Sequence, residues 1–283
     1  MKSSGRIRIS RRQRQRISYK QLFIATSSIA GAAITGLLIY FQFGQSEQAM
    51  AAFQNDYRTV SSGSWQTAHI WEKYDGSQWG PTNTPPNATS NSIEIRSGHT
   101  VVISTKVEAD QIIVDEGAKL EVLNGTLNVQ NGNGTDLRVN GELEVSGNLN
   151  TAENSQSEIS KSLILKESGE IDLKGQIVVA GSFVNEGGQF PIDAKQLTIG
   201  ATGTYVHHFD GGSLPVANWE PKSTCEISGV TTTLPDHINQ NFGSVKWNCQ
   251  SQAKPIDLNG QITSIQNSFI LENTGSQSIC FNR

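Results

Sequence analysis

From Ile93 onward, apolar and polar residues alternate in short bursts, each closed by glycine or asparagine: Ile93 and Ile95, Val101 and Ile103, Ile112 and Val114, Leu120 and Val122, Leu127 and Val129. A two-residue period with β-branched residues at the apolar positions predicts strands, and no stretch carries a 3.6-residue apolar face long enough for a helix. The bursts recur as a unit, apolar-x-apolar on either side of a glycine turn, around Gly117, Gly141, Gly169 and Gly203, which lie 24, 28 and 34 residues apart. A self-similar period of twenty-odd residues marks a solenoid whose coils stack like on like. The expected fold is therefore all-β, a right-handed parallel β-helix over 93–283 and incomplete at its carboxyl end, with glycines supplying positive φ at the corners. Asn-Gly pairs at Asn124, Asn131, Asn140 and Asn259 keep an antiparallel β-sandwich as the alternative.

Before the repeats, 65–92 breaks the pattern with Trp65, Trp71, Trp79 and Tyr74 ahead of Pro81, Pro85 and Pro86. Bulky aromatics suit a lid over the first coil, and stacking of a glycan on Trp65, Trp71 and Trp79 is the functional alternative. Residues 44–64 are small and polar and read as a linker. Residues 21–43 hold an apolar run, uncharged from Leu22 to Phe43. As a helix it would reach roughly 33 Å, enough for a bilayer. Two readings of this hydrophobic helix stay open, a retained transmembrane anchor and a signal peptide cleaved near Ala51.

Charge then adds an address. Of 22 Lys and Arg, eight fall in the basic arm 1–20, which leaves 14 basic against 26 acidic residues in the remainder. The positive-inside bias keeps the arm cytoplasmic and sends the acidic body across the membrane. A body with a net charge of −12 argues against nucleic acid as a partner. Membrane contact through the amino-terminal helix, and beyond it a cell-surface polysaccharide or another solenoid chain, are the expected partners.

Candidate chemistry is sparse. Cys225 and Cys249 are 24 positions apart, close to one coil, so stacking would bring them within disulfide reach, while burial as two free thiols is the other reading. His207 and His208 with Asp210 carry metal-ligand and proton-transfer groups, yet neighbours on a strand point to opposite faces and should not converge. His99 reads as structural. Asn131 to Asp136 resembles half of a glycine-aspartate calcium repeat, but a single copy reads as a turn. The acids Asp110, Asp115, Glu116, Glu142, Glu144 and Asp172 are scattered and read as solvated charge. No nucleotide loop, nucleophile elbow or zinc-protease motif occurs, so neither a cofactor nor catalytic residues are expected.

The succession Trp65, Trp71, Trp79, then Ile93 to Val101 (IEIRSGHTV), Asp110 and Gly117-Ala118 resembles the amino-terminal β-solenoid region of large exported cell-surface proteins of Bacteroidetes-type bacteria. Gly203 to Tyr205, His207, Gly211-Gly212, Trp219, Ser223 to Cys225 and Trp247 to Cys249 resemble a companion repeat of the same proteins. The resemblance spans about Trp65 to Gly275. It implies association with type IX secretion and a cell-surface or extracellular role, and the expected function is a non-catalytic structural, stalk or adhesion role in the cell envelope. A carbohydrate-binding or polysaccharide-cleaving β-helix is the alternative.

Overall fold

A computed structural model describes residues 51–191 and 193–281. The basic arm, the apolar run 21–43 and the first part of the linker lie outside the described residues. Among the described residues no helix is long and apolar enough to cross a membrane.

The body is a parallel β-solenoid of about nine turns. Its first face runs from Tyr57–Thr59 through Ile93–Ile95, Ile112–Val114 and Leu137–Val139 to Val216–Trp219. The second face runs from Gly63–Ser64 through Lys119–Val122 and Thr204–His207 to Ser264–Asn273. A shorter third face holds Lys106–Ala109, Thr126–Val129, Asn148–Thr151 and Glu170–Leu173. Pairing between coils is parallel, and in register apart from shifts where Asp193–Ile199 meets Val216–Trp219 and Asn241–Asn248 meets Ser264–Asn273; Leu120 pairs with Leu143 and Leu143 with Leu163. Parallel coils satisfy one another's N–H and C=O groups, which removes the antiparallel sandwich.

The alternation seen in the sequence is the alternation between core and surface. Leu120, Leu143, Leu163, Phe183, Tyr205, Cys225 and Val245 form one buried row on the second face. Ile103, Val122, Val145 and Leu165 form the neighbouring row, which then passes through Asn185 and His207 before Ile227 and Trp247. Outward positions pair charges across coils, as where the Lys119 ammonium bridges Glu142 at 3.0 Å and Glu144 at 2.8 Å.

Three expectations change. The linker ends before Tyr57, because Tyr57–Thr59 and Gly63–Ser64 already pair with the first full coil. The glycine unit around Gly169 belongs to a different corner: it precedes a third-face strand, whereas Gly141 and Gly203 precede second-face strands. The coil entered at Gly181 completes the series, so the second-face corners at Gly141, Lys161, Gly181, Gly203, Ser223 and Gly243 recur every 20 to 22 residues. Positive φ is also not the general reason for glycine. Gly117 has a φ of 78°, but Gly141 is required because a Cβ there would sit 2.3 Å from the carbonyl oxygens of Ala118 and Asp115 in the preceding coil.

The aromatic segment is a lid. Trp71–Tyr74 and Trp79–Pro81 continue the first face by antiparallel pairing and cover the edge of Tyr57–Thr59. Trp65 and Trp71 are each 1% exposed and pack edge to face with ring centroids 5.1 Å apart. Their indole N–H groups donate to Pro86 O and Trp65 O, so both polar atoms are satisfied inside.

Candidate functional site

The sequence-predicted residues divide cleanly once placed. Burial removes Trp65 and Trp71 as glycan platforms, and Trp79, half-buried, carries the Arg58 guanidinium 4.2 Å from its ring centroid. Cys225 and Cys249 are free and buried. The rung partner of Cys225 is Val245, not Cys249, because the coils repeat at 20 residues here rather than 24. Cys249 lies four residues further along and its thiol donates to Ile227 O at 3.3 Å. Burial pushes the Cys249 thiol up to about 11 and raises the Cys225 thiol further.

The histidines do not converge, as the strand period requires. His208 is exposed and its Nδ1 is 2.9 Å from Ser228 Oγ. His207 is fully buried, with Nε2 2.8 Å from Gly211 O. A carbonyl only accepts, so Nε2 carries the proton and Nδ1 presents a lone pair to the interior. Burial lowers the His207 imidazole to about 4, keeping it neutral. Asp210 accepts from the backbone N–H of Thr231, Thr232 and Thr233 at 2.7 to 2.9 Å and from the Thr232 hydroxyl, which together hold its carboxyl well below the usual range despite the opposing desolvation. It ties one coil to the next. His99 Nδ1 lies 2.8 Å from Thr59 Oγ1, a link between the lid coil and its neighbour.

Among the acids, Glu142 and Glu144 are held by Lys119 and Asp172 faces Lys174 at 3.6 Å. Asp110 behaves differently. Asp136, fully buried 26 positions later, occupies the corresponding corner of the next coil and accepts from Gly132 N at 2.7 Å and Gln156 N at 2.6 Å. The Asp110 carboxyl lies against Gly132, where an added Cβ would collide with it, and its Oδ1 is buried with no hydrogen-bond partner among the described residues. Desolvation and the adjacent Asp136 carboxyl raise Asp110 to about 6. The glycine-aspartate turn thus builds a carboxyl pair across two coils.

A second feature was not read from the sequence at all. The third face continues past Glu170 through a bridge to Gln189, and resumes with a bridge from Ser213 to Asp236. Between Gln189 and Ser213 no bridge forms among the described residues. The gap is a cleft of about 350 Å³ lined by Asn185, Gly187 to Phe190, Phe209 and Gly212 to Pro215. Asn185 is 3% exposed, accepts from Gly187 N at 2.9 Å and donates to Gly188 O at 3.4 Å, which shapes the floor. Phe190 packs on Phe183 and Phe209 on His207, with centroids 5.3 and 4.0 Å apart. Signals existed in retrospect: Asn185 and His207 interrupt an otherwise apolar row, and Gly187-Gly188 and Gly211-Gly212 flank the same corner on successive coils.

No protein family, curated protein or solved structure matches the chain.

Proposed function

We propose that the protein is a non-catalytic structural or adhesive element of a bacterial cell envelope, a right-handed parallel β-helix held outside the inner membrane by its amino-terminal hydrophobic helix. The observation that carries this reading is the continuity of the second-face ladder from Gly63–Ser64 to Ser264–Asn273. Nine steps of about 4.8 Å give a body roughly 43 Å along its axis. Every step is fixed by backbone hydrogen bonds, and the steps from Thr100–Ile103 to Asn241–Asn248 also by a buried side-chain row, which makes the body a stiff spacer rather than a hinge. The basic arm followed by an uncharged run of bilayer length supports the address, and the resemblance to exported cell-surface solenoids agrees with it.

The test is topology in the cell. With the full-length chain expressed in a Gram-negative host, protease added to spheroplasts should digest the body while a cytoplasmic marker survives. A body protected until the inner membrane is broken would refute the reading. The mass of the recovered protein also decides between a retained anchor and cleavage near Ala51.

A further inference from the structure

The break in the third face is a built feature rather than a loose corner. In an extended chain, N–H and C=O of alternate residues point to opposite sides. Gln189 spends its main-chain groups on the preceding coil, its N–H on Gly169 O at 2.8 Å and its carbonyl on Ile171 N at 3.0 Å. On the other bank, Leu214 N donates to Asp236 O and Gly212 O accepts from Asp236 N, so that bank is satisfied by the following coil. The alternate groups of both banks therefore face the gap, and the N–H groups of Gly188 and Ser213 make no hydrogen bond among the described residues. Among the described residues the lining contains no charged side chain, two phenylalanines, three glycines and the polar side chains of Asn185, Gln189 and Ser213.

We propose that this cleft binds one neutral saccharide unit. A charged ligand would lose hydration without gaining an ionic partner among the described lining residues. A purely apolar ligand would bury the unpaired main-chain groups and forfeit their hydrogen bonds. A pyranose has what both surfaces ask for, with C–H faces for Phe190 and Phe209 and hydroxyls for the main-chain amides of Gly188 and Ser213 and the Ser213 side chain. The cleft volume stands at the lower end of small-molecule sites, which suits a single ring. His207, buried behind Phe209, acts as a positioning residue: its bond to Gly211 O fixes the turn that carries Gly212 and Ser213.

The experiment titrates the full-length chain with glucose, galactose, mannose, N-acetylglucosamine and their short β-linked oligomers, read by saturation-transfer NMR and calorimetry. Phe190→Ala removes one stacking face, and Ser213→Arg fills the gap with a bulky charge while leaving the core untouched. Thermal unfolding checks that each variant is folded. Binding of at least one sugar, weakened about tenfold or more by Ser213→Arg, is expected. If Phe190→Ala fails to fold, Ser213→Arg alone decides. Silence across the panel at tens of millimolar, or binding that survives both variants, overturns the proposal. The envelope reading does not depend on this result, since topology in the cell is measured separately.

Discussion

Asp110→Asn should make the protein more stable at neutral pH, because it removes one of two carboxyls pressed together across adjacent coils. Asp110 rises from 3.8 to about 6 in the fold, through desolvation first and the Asp136 carboxyl second. For an acid whose folded pKa is raised, the native state holds the proton more tightly than the unfolded chain does. The contribution of Asp110 to native stability is thus fullest below about pH 4, declines between about 4 and 6, and stays reduced above that window. A rise of that size sets a ceiling of ~3 kcal/mol. Asp110 is only half-buried, so water screens the repulsion and the realised penalty is on the order of 1 kcal/mol. Among the described residues no Lys or Arg forms an ion pair with either carboxyl to offset it. The assay is urea unfolding of wild type and variant from pH 4 to 8, taking the difference at each pH so that other titrating groups cancel. The expected difference is near zero at pH 4 and favours the variant by about 1 kcal/mol at pH 7. A difference that does not change with pH, or a variant less stable at pH 7, would refute the argument.

Two further outcomes follow from the packing. Gly141→Ala drives a methyl into the carbonyls of Ala118 and Asp115 and should cost about 3 kcal/mol, visible as a lower unfolding midpoint, whereas the same change at Gly134, which meets nothing within 4 Å, should cost far less despite its φ of 89°. Thiol titration of the native protein under non-reducing conditions should label Cys280 alone, with Cys225 and Cys249 reacting only after unfolding and no intramolecular bond found by mass.

Much of the fold was legible because a solenoid writes its core into the sequence directly. Each inward position, such as Leu120, Leu143 and Leu163, is both apolar and one coil from its neighbour, so strand type and stacking are local properties. The register was less legible. Corners are marked by small residues in general, and Gly169 at one corner looks the same as Gly203 at another, so counting glycines skipped a coil and led to the Cys225–Cys249 pairing. The candidate site was largely hidden. A cleft arises from the absence of a bridge between Gln189 and Ser213, and a missing hydrogen bond has no residue type of its own. The Asp110 and Asp136 pair escaped notice for a related reason: twenty-six positions separate them, and only the coil register brings them together.

The placement of the indoles has a practical side. Trp65, Trp71 and Trp79 sit in the lid, Trp219 and Trp247 in the late coils, and none of the five lies between Gly80 and Asn218. Intrinsic emission therefore watches both extremities and is blind to the centre. Fraying would register optically long before the middle coils melt, and a fluorescence midpoint that precedes the circular dichroism midpoint would mean that this molecule comes apart from its tips inward.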